Sequence, residues 1–109
     1  MASYNGKGQF VLPRPLRFKD GINPETITTN TTLTYYSSQF QLLRNNTSSL
    51  DVILPAYKDG AYFWVKNRAS STSNIVVKDE DGNTIATLAA GEGALFVSTS
   101  TAWWDVIQG

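Results

Sequence analysis

The chain has no cysteine and no histidine among its 109 residues. Without cysteine there is no disulfide and no thiolate metal site, and the redox compartment leaves no mark. Without histidine the chain lacks the usual general base near neutral pH, the commonest zinc and copper ligand, and any Ser/His/Asp triad. An excess of one charge is missing too. Nine basic and nine acidic side chains cancel, so bulk charge gives no reason to expect nucleic acid or a membrane as partner. No apolar run approaches the roughly 18 residues of a membrane-spanning helix. The first residues lack a basic-then-apolar signal ending at a small-residue cleavage site, so the chain is expected to be a soluble product starting at its own Met1. The Asn-x-Ser/Thr sequons at Asn30, Asn45 and Asn46 then read as Thr-rich strand and turn sequence.

The hydrophobic fraction, 41%, is slightly low for a globular chain, and an aromatic fraction of 12% offsets it because each ring buries a large area. The length suits one domain with one core. The organising stretch is Asp59 to Asn67. A turn pair, Asp59-Gly60, opens onto Ala61-Tyr62-Phe63-Trp64-Val65-Lys66-Asn67. Strand side chains alternate, so Tyr62, Trp64 and Lys66 share one face and Ala61, Phe63 and Val65 the other. With large apolar groups on both faces, this is expected to be a central strand covered from both directions.

Other strands are expected on both sides of it. Thr26 to Tyr36 is rich in β-branched residues and predicts one long strand, or two short ones broken near Asn30. Gln39–Leu43 and Leu50–Leu54 flank the turn cluster Arg44–Ser49. Asn74–Lys78 and Thr84–Leu88 flank Asp81-Gly82, a hairpin signal. Ala94–Ser98 and Ala102–Ile107 complete the set. Strands every ten residues or so, with turn chemistry between them and no helical period, predict an all-β fold. The expected form is a single-domain antiparallel β-sandwich or jelly-roll-like barrel over residues 26–109, preceded by an extended arm over residues 1–25.

The arm has a different texture. Lys7, Arg14, Arg17 and Lys19 all precede the first acid, Asp20, and Pro13, Pro15 and Pro24 interrupt any ladder. One edge strand is expected near Gln9–Leu12. The apolar residues Phe10, Val11, Leu12, Leu16 and Phe18 are too dense for a purely disordered tail. The arm is therefore expected to dock on a neighbouring subunit or another protein, with packing on its own domain as the rival. Phe10, Leu12, Arg14, Leu16, Arg17, Phe18 and Lys19 are its candidate partner contacts. Trp103 joins them, because adjacent strand residues face opposite sides and one of Trp103 and Trp104 is left outward unless something covers it.

Chemistry has little to work with. Seven of the nine acids fall in the arm or in predicted turns. Asp51 and Asp105 are the one pair in strands, and a hydrolase would need them across a cleft. Asp79-x-Asp81-x-Asn83 begins like a calcium loop, but Thr84 stands where the loop glycine belongs and Ala90 where the bidentate acid belongs. Gly91-Glu92-Gly93 is a turn with no helix after it to form a phosphate site. Nucleic-acid stacking would want basic residues among the aromatics, and the last thirty residues hold none. No enzyme, cofactor or metal is expected.

A set of residues carries a likeness. It runs through Leu54-Pro55, Gly60, Phe63-Trp64-Val65-Lys66-Asn67, Ile75-Val76-Val77, Asp81-Gly82, Ile85 with Leu88, Gly91-Glu92, Phe96-Val97-Ser98, and Trp104 with Val106-Ile107. Residues from about Thr28 to Ile107, roughly three quarters of the chain, resemble a β-domain that recurs in tailed-phage virion proteins. There a strand ends in Leu-Pro, an apolar strand ends in Lys-Asn, a Gly-Glu turn follows, and the domain finishes Trp-x-Val-Ile. The resemblance implies a structural virion protein with no catalytic residues. The expected role is a capsid decoration or cement protein on the phage head, acting as a homotrimer with the major capsid protein as partner. The alternative it implies is a fibre or receptor-binding module. In that case the loops Asn45–Ser49 and Ser70–Asn74 and an outward Trp would contact glycans.

Overall fold

The structure is a computed structural model and describes residues 3–4, 10–11, 21–69 and 73–109. Its elements are strands: β1 (Ser3–Tyr4), β2 (Phe10–Val11), β3 (Ile22–Ile27), β4 (Thr31–Thr32), β5 (Phe40–Asn45), β6 (Leu50–Ile53), β7 (Tyr62–Asn67), β8 (Ile75–Lys78), β9 (Thr84–Leu88), β10 (Gly93–Ser98) and β11 (Trp103–Gln108). No helix occurs among the described residues. β1 and β2 pair with each other. The rest form a five-stranded sheet, β11-β10-β7-β5-β3, and a four-stranded sheet, β4-β6-β8-β9.

The expected strands are present, and β7 lies inside the five-stranded sheet between β10 and β5. The Thr-rich stretch resolves into two short strands with a break over residues 28–30. β3 begins at Ile22, inside the segment assigned to the arm, and contains Pro24. As an edge strand it tolerates proline, whose missing N–H faces away from the ladder.

The expectation of a wholly antiparallel fold is overturned. β3, β5 and β7 run parallel, as do β4, β6 and β8. Each strand of one sheet is followed by a strand of the other, so the chain returns to the first sheet pointing the same way. Parallel neighbours need such a crossover, and here the opposite sheet supplies it. In these two sheets the chain reverses after β8, giving the antiparallel β8–β9, β7–β10 and β10–β11 pairs. Both sheets are therefore mixed. Among the described residues neither sheet closes on itself, so the barrel alternative does not apply and the fold is sandwich-like.

The inward faces share one core. The five-stranded sheet gives Ile27, Leu43, Phe63, Val65, Ala94, Phe96 and Trp103; the other gives Leu50, Val52, Ile75, Val77, Ala86 and Leu88. Full burial of a side chain such as Phe96 contributes about 1.5–3 kcal/mol. Two asparagines are also fully buried, Asn45 and Asn67, each ending a strand where the chain crosses between sheets. Asn67 Oδ1 accepts from Ala69 N (3.1 Å), and its Nδ2 donates to Ser73 O (2.9 Å) and Leu88 O (3.0 Å). Asn45 Oδ1 accepts from Thr47 N (2.9 Å), and its Nδ2 donates to Ser48 O (2.7 Å) and Asn74 O (2.8 Å). Each amide closes its own turn in the Asx manner and ties that turn to a later layer of the fold.

The β8–β9 hairpin turns at Gly82, whose φ of 86° favours glycine. Asp79 caps this turn. Its carboxylate accepts from Asp81 N, Asn83 N and Asn83 Nδ2. Its slight burial would raise its pKa, but these donors outweigh that and hold it below the usual carboxylate value.

Two predictions follow from the turns. Asn67→Ala removes the amide's bonds to Leu88 O and Ala69 N at a buried corner and is expected to destabilise by about 3 kcal/mol, read from urea denaturation. A loss under about 0.5 kcal/mol would show that water replaces the amide. For Asp79 the folded pKa lies below the unfolded one. Its contribution is then present above the ordinary carboxylate range and lost as pH falls through the folded value. Asp79→Asn should therefore flatten the acid limb of a thermal-stability profile as pH falls through and below the ordinary carboxylate range.

Candidate protein-binding face

Strand alternation and register fix what the five-stranded sheet shows on its outer side. Ile107 lies opposite Leu95, Leu95 opposite Trp64, Trp64 opposite Phe40, and Phe40 opposite Ile22. One apolar row thus crosses all five strands. A shorter row, Trp104–Val97–Tyr62, lies beside it. The ends of the long row are open, Ile22 at 57% and Ile107 at 60% exposure, and its middle is half-buried. Phe40 and Trp64 stack with centroids 6.4 Å apart and planes within 8°, a favourable offset arrangement.

The strand sequences predict these groups, since β5, β7, β10 and β11 carry apolar residues at both parities. The expectation that β7 is covered on both faces holds only on one. Phe63, Val65 and Asn67 point into the core, while Tyr62 and Trp64 are half-buried and Lys66 is exposed. Five strands at about 4.8 Å, with about five residues each at about 3.3 Å, make a face on the order of 400 Å². The two apolar rows take up part of that face, and apolar patches on a subunit surface are often functional.

An open depression of about 480 Å³ interrupts this face. Phe40, Leu42, Trp64, Lys66 and Ile107 line it together with Gly93. Lys66 and Arg44 occupy outward positions at one end of the strands, and Arg68 follows with its Nε donating to Leu42 O (2.9 Å). Among the described residues the ion pair is Lys78–Asp51, at 3.0 Å.

The two tryptophans separate cleanly. Trp103, named above as a partner contact, is 6% exposed: its ring packs on Phe63 (5.9 Å, 45°) and its Nε1 donates to Pro55 O (2.8 Å). That corrects the reading of Trp103 as a surface contact. The outward indole is Trp104, 56% exposed. β11 begins at Trp103, where Ser98 opposite it also points inward. Sequence alternation alone could not choose between the pair.

The arm candidates Leu12, Arg14, Leu16, Arg17, Phe18 and Lys19 lie outside the described residues. Phe10 is described only as backbone of β2, which falls within the edge strand expected near Gln9–Leu12. In the proposed glycan loops, Asn45 is buried as a corner amide, Asn46–Ser49 is exposed, and residues 70–72 lie outside the described set. Asp51 and Asp105 sit on different sheets, and Asp51 is paired with Lys78. Among the described residues no group of three or more His, Cys, Asp or Glu side chains could hold a metal.

Comparison of the chain with protein-family models, with curated proteins and with solved structures finds no match. The local geometry accounts for several residues of the phage-like pattern in structural terms. Leu54 is core, Pro55 receives the Trp103 N–H, Asn67 is a corner amide, and Glu92 Oε1 accepts from Ala89 N (2.8 Å) to close the Gly-Glu turn.

The different settings of the two indoles give a direct test. Trp103→Ala is expected to cost about 3–5 kcal/mol by chemical denaturation, and Trp104→Ala to stay within about 0.5 kcal/mol of the parent.

Proposed function

We propose that the chain is a structural virion protein that decorates or cements a phage head by binding the major capsid protein, acting there as a homotrimer. The observation that carries its protein-binding part is the apolar row across the outer side of the five-stranded sheet. A surface of this kind suits contact with protein, and its residues are aliphatic and aromatic with no reactive group among them. The virion part rests on the likeness of residues 28–107 to the phage β-domain. A symmetric shell offers the same contact many times, and a trimer that engages several shell subunits gains avidity without stronger individual contacts. The arm, basic and apolar together, would add a second contact with the shell.

The alternative, a fibre or receptor-binding module, takes support from the outward Trp104. The two readings differ in stoichiometry. Quantitative mass spectrometry of the parent particle should find hundreds of copies for a decoration protein; a few trimers would transfer the assignment to a fibre tip.

Deleting residues 1–20 should leave a folded body, because among the described residues the core cluster begins at Ile27, and should weaken attachment to empty heads. Circular dichroism checks the first expectation, and occupancy by cryo-electron microscopy checks the second. Full occupancy by the truncated protein would remove the arm from the mechanism.

A further inference from the structure

We infer that the depression between Trp64, Lys66 and Ile107 is an anchor site for an apolar side chain of a partner protein that carries a carboxylate within a residue or two of that side chain. The inference rests on the protein-binding reading and names the chemistry of the partner at that site.

Three features lead to it. The first is shape. The depression measures about 480 Å³ and opens to solvent, room enough for one leucine-sized or aromatic side chain and the backbone that bears it. Gly93 keeps it open. It sits opposite Lys66 at an outward position, and a Cβ there would meet Val65 O at 3.2 Å and the Lys66 Cδ at 3.3 Å. The second feature is the wall. Phe40, Leu42, Trp64 and Ile107 present carbon, which an apolar side chain matches and a polar one does not.

The third feature is charge. Arg44 and Lys66 stand at outward positions at the same end of the strands, with Arg68 just beyond. No outward register position of the five strands holds an acidic side chain, and the last residue of the sequence, Gly109, lines the depression beside Gly93. The nearby Asp105 is exposed on the edge strand and pairs with Phe96, an inward register position. The complement is a carboxylate, which Lys66 can meet while its stem lies along the apolar wall.

The same features weigh against other occupants. A single strand of nucleic acid needs cations along its whole path, and here they cluster at one end. A glycan needs hydrogen-bonding groups between the rings, whereas Leu95, Leu42, Ile22 and Ile107 flank Trp64 and Phe40. The arm of a second copy carries Lys7, Arg14, Arg17 and Lys19 and would bring like charge to Arg44 and Lys66.

The test uses the full chain, labelled with ¹⁵N, and three capped peptides: acetyl-Gly-Leu-Asp-Gly-amide, acetyl-Gly-Leu-Lys-Gly-amide and acetyl-Gly-Ala-Asp-Gly-amide. The Leu-Asp peptide should shift the resonances of Trp64, Gly93 and Ile107 with a millimolar Kd, at least about fivefold tighter than either control. Lys66→Glu, at an exposed position, should reverse the preference toward the Leu-Lys peptide. Trp64→Ala should weaken all three while the remaining spectrum stays dispersed. Equal response to the three peptides, or none at ~10 mM, overturns the inference. So does a response at these residues to dT8 or maltohexaose alone, or burial of the face by self-association. No particle enters this experiment, so peptide selectivity without binding to heads would sink only the virion reading.

Discussion

Every crossing from one sheet to the other takes polar backbone through the edge of an apolar core, and the fold stands only if those groups find partners there. At the two corners after β5 and β7 the partner is an asparagine amide, because it offers an acceptor and two donors on a short side chain. Asn45 and Asn67 use the acceptor on their own turn and the donors on carbonyls farther along the chain. The reach is what matters: Asn45 holds Asn74 and Asn67 holds Leu88, so each corner locks the next layer into place. A hydrophobic residue would fill the space and leave the carbonyls unpaired, at about 1–3 kcal/mol each.

Much of this fold is legible in the strand pattern, and the part that is not has a definite cause. Alternation and turn residues located β5 to β11 because both are local properties. The direction of neighbours is not local. Arg44–Ser49 reads as a turn cluster, yet past the end of β5 the chain crosses to the opposite sheet, as it does between β7 and β8. Asn-rich sequence marks a change of direction without saying in which plane. Asp81-Gly82 did specify a hairpin, since positive φ at Gly82 fits the tight two-strand reversal. Pro24 misled in the other direction. A proline argues against a central strand only, and β3 is at an edge.

The outer face was written in the sequence and read as something else. Phe40 and Leu42 on β5, Tyr62 and Trp64 on β7, and Leu95 and Val97 on β10 all carry the signature of strands covered on both sides. Periodicity reports that two faces are apolar, but it cannot report whether the second cover belongs to the same chain. Register adds the missing step, since it shows that these residues align into one row. The tryptophan pair had the same ambiguity. Its resolution came from a distant acceptor, Pro55 O, that no local pattern contains.

The edges explain why a sheet with so apolar a face need not add strands without limit. On one side, β9 and β11 draw together, with Gln108 Nε2 donating to Thr87 O (3.1 Å) across the gap between sheets. On the other, β3 carries Pro24 and β4 is two residues long. A proline and a short strand are the usual means of blunting an edge against strand addition. Backbone pairing is indifferent to sequence, whereas contact through a face is read by side chains one at a time. With its edges blunted and its face left open, the body offers the shape and charge around Trp64 and Lys66 without the hydrogen-bonding template that turns a β-sheet into a fibre.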